Sequence, residues 1–144
     1  MTESKYIWMD GEFTPWNEAK VHVLSHTLHY GNGAIEGTKA YKTVDGRCAI
    51  FKLNEHTQRL LNSSKMTLMN VPFSLEELNK AQVELLQKNE LTNGAYIRPL
   101  VYLGYGVMGL YHKDAPVKVS ISAWEWGAYL GEEGLKKGVR VKIS

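Results

Sequence analysis

The chain has 144 residues, 44% hydrophobic and 22% charged, which suits one ordinary domain and argues against disorder. Seventeen Lys and Arg against 15 Asp and Glu leave a net charge of +2, too small and too evenly spread for a nucleic-acid or anionic-membrane footprint. One cysteine, Cys48, excludes an internal disulfide framework and a Cys-based zinc site. No stretch approaches the roughly 18 apolar residues of a membrane span, and the start lacks a signal-peptide core, so a reducing, cytoplasmic setting is expected.

In chain order, Tyr6 to Phe13 predicts a hairpin turning at Asp10-Gly11, and Lys39 to Leu53 predicts a second at Asp45-Gly46. Thr57, Leu60, Leu61, Ser64 and Leu68 recur at helical spacing, with Asn54 as the expected N-cap. Ser74-Leu75-Glu76-Glu77 reads as a capping box, with Phe73 and Leu78 as a hydrophobic staple. Its helix buries Leu78, Ala81 and Leu85 and is expected to end at Asn93-Gly94.

Two strands follow. In the first, Tyr96, Arg98, Leu100 and Tyr102 share one face, and Ala95, Ile97, Val101 and Leu103 the other. Pro99 lacks a ladder donor, so a bulge or an edge is expected there. In the second, Val117, Val119, Ile121 and Ala123 alternate with Lys118, Ser120, Ser122 and Trp124, after a glycine-rich loop from Gly104 to Ala115. The pattern predicts an α+β fold: two layers, a mostly antiparallel sheet with two helices on one face. The stretch Gly138 to Ser144 alternates like a strand and then stops, as if the chain were a piece of something longer.

Candidate chemistry is sparse. Gly31, Gly33 and Gly37 either form a tight turn or let a ligand approach the backbone; Glu36 spoils a dinucleotide fingerprint. His22, His26 and His29 carry no companion Glu or Cys, so structural hydrogen bonding is expected and no metal site. Arg59, beside an apolar helix stripe, either covers that stripe with its stem or forks an anion. Arg98 with Tyr96 is either a cation–π surface pair or the wall of an anion pocket. Trp124, Trp126 and Tyr129 are core rings or pocket lining. No nucleophile–base pair stands out.

Five segments nevertheless resemble the N-terminal domain of branched-chain-amino-acid aminotransferases, of the fold-type IV pyridoxal-phosphate group. They are Lys20 to Gly31, Glu36-Gly37-Thr38-Lys39-Ala40-Tyr41, Glu55-His56-Thr57-Gln58-Arg59-Leu60, Ala95-Tyr96-Ile97-Arg98-Pro99-Leu100, and Trp126-Gly127-Ala128-Tyr129-Leu130-Gly131. Their order makes the match specific.

The resemblance implies that residues 1–130 are the small N-terminal domain and residues 131–144 begin a segment toward a missing second domain. It implies that Arg59 binds the cofactor phosphate. Tyr30, Ile35, Gly37, Tyr96, Arg98, Trp126 and Tyr129 would line the substrate pocket. Met108 and Leu110, in the loop Gly106 to Leu110, would reach a neighbouring subunit's site in a homodimer or higher homo-oligomer. The substrates implied are leucine, isoleucine or valine and 2-oxoglutarate. The Schiff-base lysine lies downstream in the family, so no catalytic residue is expected here and the fragment alone should be inactive. Ile35 and Lys39 depart from common family residues, an aromatic and an arginine. The competing expectation is a non-catalytic small-molecule-binding or oligomerisation domain complete at this length.

Overall fold

The computed structural model describes residues 2–126, 134, 136–138 and 140–142. Seven strands form one sheet: β1 (Tyr6–Met9), β2 (Glu12–Pro15), β3 (Gly33–Ile35), β4 (Thr38–Lys42), β5 (Cys48–Ile50), β6 (Gly94–Leu103) and β7 (Val117–Trp124). The order is β2-β1-β7-β6-β4-β5, with β3 also paired to β6, and every pairing is antiparallel. Three α-helices accompany it among the described residues: α1 (His26–Tyr30), α2 (Leu53–Met66) and α3 (Leu75–Lys88). The α+β layering expected from the sequence is therefore found, with the five-residue α1 as an addition.

Both hairpins form where the Asp-Gly pairs stand, closing on Met9 opposite Glu12 and Lys42 opposite Cys48. Apolar residues of α2 and α3, among them Leu60, Leu78 and Leu85, pack with Ile97, Val101, Val119 and Ile121 of the central strands. The alternation along β6 and β7 thus sorts into a helix-covered face and an open face. On the open face Tyr96, Arg98 and Leu100 remain half-buried.

The capping box on α3 forms: the Ser74 hydroxyl accepts from the Glu77 N–H, and the Glu77 carboxylate accepts from the Ser74 N–H. Other expectations need correction. Asn54 does not cap α2: the helix starts at Leu53, after Lys52 in a left-handed conformation (φ 53°), and Asn54 accepts a hydrogen bond from Asn79 on α3. Asn93-Gly94 does not end α3, which stops at Lys88. Asn89 caps it and spends its side chain on the backbone of Lys5 and Tyr6, while Gly94 opens β6.

Pro99 makes neither a bulge nor an outer edge. Its register with Ile121 runs on unbroken from Tyr96 opposite Trp124 to Leu103 opposite Val117. On its other side the Pro99 carbonyl accepts from the Glu36 N–H at 3.0 Å. A strand residue's N–H and C=O point to the same neighbour. The missing donor of Pro99 therefore faces Glu36-Gly37, the two residues between β3 and β4, where the neighbouring strand itself is interrupted. The stretch 138–144 lies partly outside the described residues, and its described members belong to no strand.

Candidate functional site

The interruption between β3 and β4 organises the site. Register places Thr38 beside Ile97 and Lys39 beside Tyr96, so Glu36 turns to the helix-covered face and Gly37 to the open face. The Glu36 side chain is only 5% exposed. Its carboxylate accepts from the Gly37 N–H at 2.8 Å and from Arg59 on α2, Nε to Oε2 at 2.6 Å and Nη2 to Oε1 at 2.5 Å. His56 Nδ1 stands 3.4 Å from Oε1. Burial would push this carboxyl up; the hydrogen bonds from Arg59 and the Gly37 N–H, with the charges of Arg59 and His56, outweigh it and hold it below the ordinary carboxylate range. The same hydrogen bond holds the Arg59 guanidinium above its usual value.

Arg59 therefore does more than cover apolar area. It is a forked ion pair of the stronger, charge-assisted kind. Its side chain is still 66% exposed, and among the described residues no acceptor engages Nη1.

On the open face, Arg98 donates to the Tyr96 hydroxyl through Nε at 3.2 Å and Nη2 at 2.7 Å. Its guanidinium carbon also lies 5.1 Å from the Tyr96 ring centroid. Arg98 pairs with no carboxylate among the described residues. Tyr96 packs edge-on to Trp126, with centroids 4.8 Å apart, and Trp124 closes a three-ring cluster. Gly37 completes this wall: a β-carbon there would overlap the Tyr96 hydroxyl and stand 3.0 Å from Cζ. Ile35, opposite Leu100, shares the face and is exposed.

A second group gathers around residues 106–110. The Tyr30 hydroxyl accepts from the Gly109 N–H at 3.0 Å, and His26 Nε2 contacts the Gly109 carbonyl oxygen at 2.8 Å. Gly109 is thus held at both its backbone polar groups by α1, which leaves Met108 and Leu110 exposed on either side. His29 bonds the Val23 carbonyl, and His22 accepts from the Leu24 N–H, so all three histidines are used structurally. No group of three or more His, Cys, Asp or Glu among the described residues could hold a metal ion.

The amino-transferase class IV family matches residues 33–144. The chain belongs to that family. A branched-chain-amino-acid aminotransferase of Pseudomonas aeruginosa is 48% identical over 138 residues, covering 96% of this chain and 44% of the relative. The crystal structure of the Escherichia coli branched-chain amino acid aminotransferase matches with a TM-score of 0.87 at 43% identity, over 94% of this chain and 44% of that one. That of the T.th. branched-chain amino acid aminotransferase, solved with pyridoxamine 5'-phosphate, matches with a TM-score of 0.84 at 46% identity, over 92% and 43%. This class IV chain spans about half the length of the curated relatives it matches.

Of the expected site residues, the structure brings Ile35, Gly37, Tyr96, Arg98 and Trp126 to one face, with Arg59 reaching the same strand interruption from α2. Tyr30, Met108 and Leu110 form the separate loop group around Gly109. Tyr129 lies outside the described residues. Sequence reasoning missed Glu36 as the partner of Arg59. The available signal was an acidic residue between a strand and a glycine, where burial demands a cation.

Proposed function

We propose that this chain is the N-terminal part of a branched-chain-amino-acid aminotransferase. Such an enzyme passes the amino group between leucine, isoleucine or valine and 2-oxoglutarate with pyridoxal 5'-phosphate. The observation that carries this reading is a strand interruption flanked by an arginine on each face: Arg59 beside Glu36 on the helix-covered side, and Arg98 beside Tyr96 and Gly37 on the open side.

The donor set fits the cofactor. The Arg59 side chain is mostly exposed and its Nη1 meets no acceptor among the described residues, so a permanently charged planar donor suited to a phosphate oxygen is left. Pyridoxal phosphate, when bound, supplies an electron sink for labilising bonds at the amino-acid α-carbon. Arg59 holds its phosphate end. Arg98, set by the Tyr96 hydroxyl, receives the anionic side chain of glutamate, while Ile35 and Trp126 offer apolar area to aliphatic side chains. Gly37 and Tyr129 complete the lining, and Tyr30, held to the loop that carries Met108 and Leu110, lines the substrate pocket of a second copy together with them in a homodimer or higher oligomer.

In this reading residues 1–130 are the small domain, residues 131–144 lead toward a second domain that supplies the reactive lysine, and the setting is cytoplasmic. The 144-residue chain alone is inactive. Added pyridoxal phosphate is expected to leave no lasting visible absorbance band on it after dialysis. A stoichiometric band that survives dialysis contradicts this and favours a self-sufficient binding domain.

A further inference from the structure

We propose that Glu36 is a positioning residue for the cofactor phosphate, acting through Arg59. The inference rests on the reading of Arg59 as the phosphate ligand and deepens it.

A long exposed arginine on a helix samples many rotamers, and fixing it on binding weakens the ligand. Here the fixing is already done. Glu36 is anchored at its backbone by its N–H to the Pro99 carbonyl, and at its carboxylate by the Gly37 N–H. That carboxylate is buried, while the guanidinium it holds is mostly exposed. Two nitrogens of Arg59, Nε and Nη2, are spent on Glu36. Nη1 is left, directed by a rigid partner rather than by a flexible stem.

The geometry has a cost in charge. A phosphate dianion brought to Arg59 also approaches the Glu36 carboxylate. Coulomb repulsion opposes the binding that orientation favours, so the sign of the Glu36 effect decides between the two. His56, 3.4 Å from both Glu36 Oε1 and Arg59 Nη2, is the other titratable group at this corner. If Glu36 orients Arg59, removing its charge weakens phosphate binding. If it competes with phosphate for Arg59, removing its charge strengthens it.

The test uses the full-length protein stripped of cofactor, titrated with pyridoxal 5'-phosphate, pyridoxal and inorganic phosphate. Binding is followed by absorbance and tryptophan fluorescence. Glu36→Gln keeps the shape and removes the charge; Glu36→Asp keeps the charge and shortens the reach. Both are expected to weaken pyridoxal phosphate and inorganic phosphate about tenfold, leave pyridoxal unchanged, and lose that effect in an Arg59→Ala background. Unchanged or tighter phosphate binding in Glu36→Gln, or an equal loss for pyridoxal, overturns the proposal. Should Arg59→Ala itself bind pyridoxal phosphate like the parent, the reading of Arg59 falls and this inference with it. Should Arg59→Ala weaken binding while both Glu36 variants do not, only the inference falls.

Discussion

The Tyr96 phenol occupies the space that a side chain at Gly37 would fill. A β-carbon at Gly37 would overlap the Tyr96 hydroxyl, which is also the acceptor for both Arg98 donors. Any side chain at residue 37 therefore moves Tyr96 and, with it, the acceptor that sets Arg98. Gly37→Ala in the full-length enzyme is expected to raise KM for glutamate about tenfold, the worth of one misaligned charged hydrogen bond. Affinity for pyridoxal phosphate is expected to be unchanged. Steady-state kinetics beside a cofactor titration would check both.

Arg98 has no carboxylate partner among the described residues, so its charge is available to an incoming anion. Arg98→Ala is expected to lower kcat/KM for glutamate at least about tenfold more than for leucine. Equal losses for the two amino acids, measured by competing half-reactions, would remove Arg98 from side-chain selection.

The two long helices are joined by a polar network inside an otherwise apolar layer. The Thr57 hydroxyl donates to Asn79 Oδ1 at 2.6 Å and accepts from Gln82 Nε2 at 3.0 Å, and Asn79 continues to Asn54. Thr57 and Gln82 are each 1% exposed. Thr57→Val keeps the volume but removes one of the two acceptors of the buried Gln82 amide, which retains the Leu78 carbonyl, and the donor to the half-buried Asn79 Oδ1. It is expected to destabilise the fold by about 1–3 kcal/mol in urea unfolding, with no change in cofactor spectrum.

The Glu36 carboxyl is held below the ordinary carboxylate range in the folded chain. A depressed folded value means that its stabilising contribution is complete above the unfolded value and is lost as pH falls through the folded one. The contribution of the Glu36 charge to the stability difference between the parent and Glu36→Gln is therefore expected to be fully present above the ordinary carboxylate range. It should shrink on acidification below the ordinary carboxylate range. Melting temperatures of both proteins between neutral pH and the onset of acid unfolding would show whether the curves converge.

Local chemistry makes much of the fold legible in the sequence. Asp10-Gly11 and Asp45-Gly46 turn where such pairs can adopt positive φ, and Ser74 with Glu77 caps a helix through contacts three residues apart. Alternation in β6 and β7 separates the two faces. The errors arise where tertiary demands override local preference. Asn54 is a good cap by type, yet its amide is used by Asn79 across the helix pair; Asn93-Gly94 looks like a stop, yet Asn89 ends α3 because it can also tie down the N-terminal strand. Pro99 is tolerated in a central strand because its missing donor faces the interruption at Glu36-Gly37, which lies 62 residues earlier in the chain (99 − 37 = 62) and so cannot be read locally. The site follows the same pattern. Arg98 and Tyr96 are neighbours in sequence, so their pairing is visible. Glu36 and Arg59 are 23 residues apart and meet only once β3 and α2 are packed.

In the proposed function this chain supplies the phosphate-holding flank of a pyridoxal-phosphate cleft. The most direct measurement is the affinity of the full-length apoprotein for pyridoxal 5'-phosphate and for pyridoxal, with and without Arg59→Ala. A loss of at least about tenfold, confined to the phosphorylated cofactor, is expected for Arg59→Ala. Equal affinity of parent and variant for pyridoxal 5'-phosphate would contradict it.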